Sequence, residues 1–268
     1  PYYHSWTSYS GVGEEVITMT TSKAVGEKVD LGIVANGDVV IEGVSEMPQL
    51  GKNRNNYTLT SQTIIIQGDV TKLDCYGNQL MSLDVSGCSA LTKLDCSKNQ
   101  LTSFGVSGCS ALTELDCSSN QLTNLNVSKN TALTMLVCYD NQINGENMTR
   151  LVTSLPSRKG LRSGNLVIVS RRESEVNLCR PSDIAIAQEK NWIPKWQNGD
   201  SYKGFGDGVI IMTTSKAVGE KVDLGIVANG DVVIEGVSEM PYLSERYSKN
   251  YTLTSQTITI RGDITELA

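Results

Sequence analysis

Four cysteines recur at a constant interval in the middle of the chain, and thiols spaced in this way could bind a metal ion or form disulfides. They are Cys75, Cys96, Cys117 and Cys138, each 21 residues after the one before. If each lies on its own strand of a parallel stack, the first and last are about 14 Å apart, whereas tetrahedral zinc needs every sulfur within about 2.3 Å. Neighbouring Cβ atoms would be about 4.8 Å apart, and a disulfide prefers roughly 3.8 Å. We therefore expect free, buried thiols that pack as small apolar side chains, and no metal site.

The other three cysteines and the single histidine offer little catalytic chemistry. Cys88 and Cys109 lie one period apart, with Asn130 as the next counterpart, so the redox state of this pair stays open; Cys179 has no evident partner. Seven cysteines cannot all pair. His4 lies in the terminal stretch PYYHSWTSYS, and the motifs of nucleophilic and phosphate-binding sites are missing. We expect no enzymatic activity, no catalytic residues and no cofactor.

The four evenly spaced cysteines, which we call the ladder cysteines, belong to a segment that is repeated four times. The copies begin at Thr71, Thr92, Thr113 and Thr134, and the last ends near Gly145. One full instance, LTKLDCSKNQL, follows the pattern L-x-x-L-x-C-x-x-N-x-L. A period of roughly 20 to 29 residues with this pattern is typical of leucine-rich repeats, which stack one parallel strand per repeat. The predicted core columns are Leu73, Leu94, Leu115 and Leu136; the four cysteines; Leu80, Leu101, Leu122 and Ile143; Leu83, Phe104 and Leu125; and Val85, Val106 and Val127. Asn78, Asn99, Asn120 and Asn141 are predicted to form a ladder of amides bonded to neighbouring backbone.

The candidate binding site is the set of side chains that flank the buried leucine and cysteine of each strand, because these point to the concave face. They form three columns: Lys72, Lys93, Glu114 and Met135; Asp74, Asp95, Asp116 and Val137; and Tyr76, Ser97, Ser118 and Tyr139. The aspartates stack like charges, which the two lysines could offset. The tyrosines and Met135 favour a face that binds protein, with a merely solvated face as the alternative. Calcium is a weaker alternative, because a straight column offers few converging oxygens.

A duplicated module flanks the repeats. The sequence from Ile17 to Met47 returns from Ile210 to Met240 with one change, Thr18 to Ile211. The first copy leads into the repeats, and the second stops where a first repeat strand would begin, so we expect the chain to be a fragment of a longer protein. The predicted units are a tail (1–15), a β-rich capping module (16–70), the repeats (71–145), a closing segment (146–200) and the second module (201–268).

Local patterns give each flanking unit a coarse structure. In the module, alternation predicts a strand around Val29–Ile33, an Asn36–Gly37 hairpin turn with Val39–Val44 as the partner strand, and further strands at Ile17–Thr20 and Tyr57–Ile66. The module is expected to cap the first repeat. The closing segment is predicted to contain helices at Glu146–Leu155 and Pro181–Asn191 and a strand at Gly164–Ser170. Trp192 and Trp196 are expected to plug the core, with a carbohydrate-stacking platform as the alternative.

Composition narrows the choice of partner and compartment. The chain has 29 acidic and 23 basic residues, a net charge of -6, and no basic cluster, which disfavours nucleic acid. No apolar run approaches the roughly 18 residues of a transmembrane helix. The expected fold class is therefore a soluble, β-dominated α/β solenoid, in which a short array of parallel strands lies between small β modules and a mixed α/β closing segment.

The repeats also resemble a known family. LTKLDCSKNQLTSFGVSGCSAL and LTELDCSSNQLTNLNVSKNTAL resemble the internalin-J-like leucine-rich repeats of bacterial surface proteins. The segment VDLGIVANGDVVIEGV resembles modules next to such repeats in surface or lipid-anchored proteins of anaerobic gut and oral bacteria. The resemblance covers roughly residues 16–200 and 209–268. It implies adhesion or protein binding at the cell surface and supplies no catalytic residues; with about four repeats, the concave face is expected to be short.

Three functions follow as hypotheses. The first is recognition of a host or bacterial protein at the extracellular surface through the concave face. The second is a structural spacer or self-assembling stalk built from tandem module-plus-repeat units, favoured by the near-identity of the two modules. The third is glycan binding through Trp192, Trp196 and the tyrosines.

Overall fold

The chain is dominated by β-strands. A computed structural model describes residues 15–51, 53–170, 175–201, 209–228, 233–237, 246–261 and 264–267, so the predicted tail with His4 lies outside the described residues. In chain order the elements are β1 (Val16–Thr21), β2 (Lys28–Ala35), β3 (Val40–Glu42), β4 (Asn55–Thr58), β5 (Thr63–Gln67), β6 (Val70–Asp74), β7 (Leu80–Asp84), β8 (Lys93–Asp95), β9 (Glu114–Asp116), β10 (Met135–Val137), α1 (Gly145–Ser154), β11 (Gly164–Val169), α2 (Pro181–Glu189), β12 (Trp192–Trp196), β13 (Val209–Thr213), β14 (Lys221–Ala228), β15 (Val233–Glu235), β16 (Arg246–Thr252), β17 (Thr257–Arg261) and β18 (Ile264–Leu267).

The repeat strands form the centre of an eight-stranded sheet with the order β12-β11-β10-β9-β8-β6-β2-β4. Strands β6, β8, β9 and β10 are parallel and pair at an offset of 21 residues, so that Leu73, Leu94, Leu115 and Leu136 are direct neighbours. These leucines and the ladder cysteines are buried in one continuous core. The parallel stacking and the buried columns are those that the sequence period predicts, except that Phe104, predicted in the core, is only half-buried and packs against it.

The parallel part of the sheet is longer than the repeats. Strand β11 pairs in parallel with β10, and β12 pairs in parallel with β11. The core column therefore continues from Leu136 to Leu166 and from Leu166 to Pro194. The expectation of a face only about four strands long was therefore wrong. The closing segment adds two further parallel strands although neither carries the repeat motif.

The first module does not contain the predicted hairpin. Strand β2 pairs with β4 and β6, whereas β3 pairs with β5 in the other sheet. The Asn36 backbone N–H donates to the Asp69 carbonyl at 2.9 Å, so the chain crosses between sheets at Asn36–Gly37 instead of folding back beside β2. The predicted strand Tyr57–Ile66 is likewise two strands. Between them the chain bends around Gly43, whose carbonyl accepts N–H bonds from residues 60 and 61.

The same module caps both arms of the first repeat. Strand β2 runs antiparallel to β6, pairing Ile33 with Leu73, and β1 runs antiparallel to β7, pairing Met19 with Leu83. The module and the repeats share one hydrophobic core. The backbone groups on this side of the first repeat are therefore paired rather than open to further strands.

A ladder of asparagines stitches successive repeats together. Asn99 accepts N–H bonds from Asn78 and Leu80 through Oδ1, and its Nδ2 donates to the carbonyls of Cys75 and Cys96. The equivalent amides are also buried: Asn120 and Asn141 bond backbone of the adjacent repeats, and Asn78, in the first repeat, donates to the Asp30 carbonyl of the capping module. The predicted structural role of these asparagines is confirmed.

The closing segment packs its tryptophans into the core. Both predicted helices and the intervening strand are present. Helix α1 ends at Ser154, one residue before its predicted end, and α2 ends at Glu189, two residues before its predicted end. Trp192 and Trp196 are 1% and 3% exposed, and the Trp192 indole N–H donates to the Pro156 carbonyl at 2.8 Å. Gly164 faces the Trp192 ring, where a Cβ would lie 2.5 Å from the ring carbon. The plug is confirmed, and a carbohydrate-stacking platform made of these two rings is wrong because neither ring reaches solvent.

The second module has its own two sheets, with the orders β13-β17-β15 and β16-β14-β18. A separate core contains Leu224, Ile234, Tyr251 and Ile260. Strand β14 pairs with β18 in a backbone register that places Ile226 opposite Leu267, which repeats the antiparallel pairing of Ile33 with Leu73 in the first module. The duplicated sequence therefore builds the same strand arrangement twice.

Candidate functional site

The candidate site is one face of the parallel sheet, which we call the groove face. Residues before and after each buried leucine point to this face because side chains alternate along a strand. The outer row is Lys72, Lys93, Glu114, Met135, Asn165 and Ile193, and the aspartate row is Asp74, Asp95, Asp116, Val137, Val167 and Lys195. An open groove of about 420 Å³ lies over β2, β6, β8, β9 and β10.

Cations reach the first strands of this face in two ways. In the outer row, Lys93 Nζ lies 2.6 Å from Glu114 Oε1 on the next strand. In the aspartate row, Arg54 Nε lies 3.4 Å from carboxylate oxygens of both Asp30 and Asp74. The sequence analysis expected Lys72 and Lys93 to offset the aspartates; the residue that contacts Asp74 is Arg54, which was missed.

Arg54 is positioned by the pairing of β4 with β2. Its guanidinium donates to the carbonyls of Asp30 and Tyr76, and a Cβ at Gly32 would lie 3.3 Å from Arg54 Cγ and 3.2 Å from Asp74 Cβ. A side chain at position 32 would therefore crowd the arginine. Leu31 on β2 pairs with Asn55 on β4, the residue next to Arg54. Predicting this strand pairing would have placed Arg54 at the site, but the hairpin prediction had assigned β2 a different partner strand.

Each repeat aspartate is held by the turn that follows its strand. Asp95 Oδ1 accepts the Ser97 N–H at 3.0 Å and the Ser97 hydroxyl at 2.5 Å, and Asp116 makes the same two bonds with Ser118. Burial raises the pKa of Asp116 above its usual value, with the charge of Asp95 adding and the Ser118 bonds opposing. Burial likewise raises the pKa of Asp74, which Arg54 opposes. Ser97 and Ser118 are buried rather than exposed, so they hold the aspartates and do not present themselves to a ligand.

Tyr76 and Tyr139 lie just beyond the ends of their strands and are half-buried. Arg54 and the Lys98 ammonium each lie 5.1 Å from the centre of the Tyr76 ring, and Lys98 Nζ donates to the Tyr76 hydroxyl at 2.8 Å. Gln197 Nε2 donates to the Tyr139 hydroxyl at 3.1 Å. These contacts fix both rings at the border of the groove face.

The far half of the groove face is mostly apolar, with Asn165 and Lys195 as its polar members. Met135 and Ile193 are 37% and 41% exposed, and they flank Asn165 in the outer row. Val137 and Val167 are neighbours in the other row and are buried. The sequence analysis missed Asn165, Val167, Ile193 and Lys195 because the repeat motif ends before them. The alternation in WIPKW was the available signal, since Trp192, Pro194 and Trp196 are buried while the two residues between them are not.

The buried thiols and one buried carboxyl lie outside this face. All seven cysteines are free and buried. Burial raises the pKa of Cys88 and Cys109 to about 12, and it also raises the pKa of the ladder cysteines and Cys179. Because the thiolate is the reactive form, these thiols are poor nucleophiles. No group of metal-binding side chains forms within the part of the chain that the structure describes.

Glu175 is one of three buried carboxyls among the described residues, with Asp140 and Asp183, and the repeat pattern gave no signal for it. It accepts backbone N–H bonds from Asp140, Ser170 and Asn177 at 2.7–2.8 Å. Burial raises the pKa of Glu175 to about 7. The negative charge of Asp140 also raises this pKa, whereas the three N–H donors lower it. Asn177 extends the asparagine ladder, because its Nδ2 donates to the carbonyls of Cys138 and Ile168.

Part of this chain is similar to a solved structure. Among solved structures, the chain is similar to the functional domain of InlJ from Listeria monocytogenes, which includes a cysteine ladder; sequence identity is 27% and the TM-score is 0.31. The match covers 43% of this chain and 26% of that one. No family model matches this sequence, and no curated protein matches it. Similarity at this TM-score establishes neither a shared family nor a function. Among the described residues, no helix is both long and apolar enough to cross a membrane.

Proposed function

We propose that this chain is a non-catalytic leucine-rich-repeat module of an extracellular or cell-surface protein, and that it binds a protein ligand through the groove face. The observation that carries this proposal is the exposure of Met135 and Ile193 on a sheet whose other face is packed into the core. Exposed apolar side chains within a polar rim are typical of protein-binding surfaces, and methionine is enriched there.

The sheet also suits recognition because it is already ordered. Adjacent strands are locked by backbone pairing and by the asparagine ladder, so ligand binding requires little ordering of this surface. Tyr76 and Tyr139 add large, amphipathic rings at its border, each oriented by a bond to its hydroxyl. The absence of enzymatic activity is part of the proposal, and it rests on the missing catalytic motifs and on the buried thiols.

The test is a pull-down from extracellular-matrix, serum and bacterial-surface extracts. The wild type is compared with a Tyr76→Ala, Met135→Ala, Tyr139→Ala variant and with the control Met81→Ala. Met81 is 48% exposed on β7 in the other sheet, so its truncation matches the Met135 change away from the groove face. A partner retained by the wild type and the control, and lost by the triple variant at unchanged thermal stability, is the expected result. A partner that the triple variant still holds would overturn the proposal.

A structural spacer or self-assembling stalk is the second candidate function. It is favoured by the register of β14 with β18, which reproduces that of β2 with β6 and so presents a strand of the repeat type on the second module. Units of module and repeats could then follow one another in a fibre. Light scattering over a range of concentrations tests this: growth into chains supports the spacer, and a monomer at every concentration counts against self-assembly.

A further inference from the structure

The groove face changes its chemistry between β9 and β10. In the outer row Glu114 pairs with Met135, and in the aspartate row Asp116 pairs with Val137. Strands in such a sheet lie about 4.8 Å apart, so carboxylates and aliphatic side chains are immediate neighbours along both rows. We call Met135, Val137, Val167 and Ile193 the apolar strip.

Of the two carboxylates that border the strip, Glu114 is paired with Lys93, whereas Asp116 takes part in none of the ion pairs among the described residues. Arg54 contacts Asp74, and Lys93 contacts Glu114. Asp95 and Asp116, by contrast, have no cation within 4.0 Å among the residues that the structure describes. Each uses Oδ1 for the serine that follows its strand, and no serine bond engages Oδ2. An ion pair formed at partly desolvated carboxylates is stronger than one in open water.

We propose that the ligand of the groove face is a protein segment in which a lysine or arginine lies next to apolar side chains, with the cation on Asp95 and Asp116 and the apolar residues on the strip. This inference rests on the proposed protein-binding function and specifies the chemistry of the partner. Charge complementarity selects the cation, and the exposed aliphatic groups of Met135 and Ile193 select its apolar neighbours.

The sheet also fixes how long the segment must be. From β9 to β12 there are three strand spacings, or about 14 Å. An extended segment covers this distance with about four residues, and a helix covers it with about ten. A peptide of about 12 residues is therefore long enough to contact both halves in either conformation.

The experiment selects peptides of about this length from a random displayed library on the full chain, and then measures the affinity of the synthesised peptides by fluorescence anisotropy. One variant is Asp95→Asn with Asp116→Asn, which keeps the Oδ1 acceptors and removes the charges. Another is Ile193→Ser in the apolar strip. The matched controls are Asp84→Asn and Met81→Ser on β7; Asp84 Oδ1 accepts the Ser86 N–H at 2.9 Å, as Asp95 does with Ser97, but it lies in the other sheet.

We expect the selected peptides to carry Lys or Arg beside apolar residues. Their affinity should fall about tenfold or more in each groove-face variant, remain unchanged in the controls, and depend on salt through the aspartates. Peptides without basic residues, or binding that survives the double Asp→Asn change, would overturn this inference; if such peptides are still lost on Ile193→Ser, the proposed function stands. If the affinity of the selected peptides is unchanged by every groove-face substitution, both this inference and the proposed function are overturned. A dimer of the wild type that the double Asp→Asn change dissociates would make the occupant a second copy of this chain and refute the foreign segment.

Discussion

The asparagine ladder predicts a specific pattern of energetic coupling between repeats. Asn120 Nδ2 donates to the carbonyls of Cys96 and Cys117, and Asn141 Nδ2 donates to those of Cys117 and Cys138, at 2.9–3.1 Å. The Cys117 carbonyl thus receives two amide donors from successive repeats. Removing either asparagine leaves it one donor, and removing both leaves it none.

The magnitude follows from counting the groups that lose every partner. Asn120→Ala leaves the Leu101 N–H without its acceptor, and Asn141→Ala does the same to Leu122. An unsatisfied buried group costs about 1–3 kcal/mol, and each lost bond to a carbonyl that keeps another donor adds less, so we expect about 3 kcal/mol for each single change. In the double variant the Cys117 carbonyl is orphaned as well. The double variant should therefore be less stable than the sum of the single changes by about 1–2 kcal/mol.

A matched pair provides the control. Asn99 donates to the carbonyls of Cys75 and Cys96, so it shares no acceptor with Asn141. The losses in the free energy of unfolding caused by Asn99→Ala and Asn141→Ala should therefore add to within about 0.5 kcal/mol in the double variant. Urea denaturation of the single and double variants measures both couplings. Equal coupling in the two pairs, or none in the adjacent pair, would refute the shared-carbonyl reasoning.

Three further outcomes are expected. Gly108→Ala should destabilise the fold by about 2–4 kcal/mol in thermal denaturation, because its Cβ would lie 1.6 Å from the Ser86 carbonyl oxygen, whereas Gly105→Ala, with nothing within 4 Å, should change stability little; equal effects would contradict this. Because the pKa of Glu175 is raised from 4.5 to about 7 in the folded state, its contribution to stability is greatest below pH 4.5 and declines as pH rises to about 7. Chemical denaturation should show a fall of up to about 3 kcal/mol across this range that Glu175→Gln lacks, and an identical pH dependence in both proteins would rule it out. The cysteines, whose pKa values are raised by burial, should resist a thiol reagent at neutral pH in the folded protein and all react in denaturant, and rapid labelling without denaturant would be the contrary result.

The sequence period was sufficient for the repeats because it fixes register. With one buried leucine per strand at a constant offset, Leu73, Leu94, Leu115 and Leu136 must align for the core to close, and they do. The Asn36–Gly37 turn failed for the opposite reason. A turn motif is local, whereas the choice of partner strand depends on which sheet buries each strand, and β2 pairs with β6 so that Ile33 lies beside Leu73 in the shared core.

The site was predictable as far as β10 and no further. Beyond Gly145 the core positions are filled by Leu166 and Pro194, which no period relates to the repeat leucines. The repeat pattern therefore gave no signal for the face residues Asn165 and Ile193, and only the local alternation in WIPKW could have indicated Ile193. Arg54 was missed because it enters the face from the capping module. Its position depends on the pairing of β4 with β2, and this pairing joins segments that are separated in the sequence by a strand of the other sheet.

The point at which the aspartate row ends is more informative about function than the row itself. Asp74, Asp95 and Asp116 each accept the N–H of the residue two positions later, so the fold gives a structural reason for an aspartate at the end of these strands. On β10 the position of the aspartate is taken by Val137, whose side chain cannot accept this hydrogen bond. In the outer row, Met135 stands where the preceding strand has the charged residue Glu114. Val137 is buried beside Val167, but Met135 stays 37% exposed, on the side of the sheet opposite the core that Leu136 and Cys138 fill. If the proposed function is right, a ligand that covers both the exposed Met135 side chain and Asp116 would account for an apolar side chain at this end of the aspartate row.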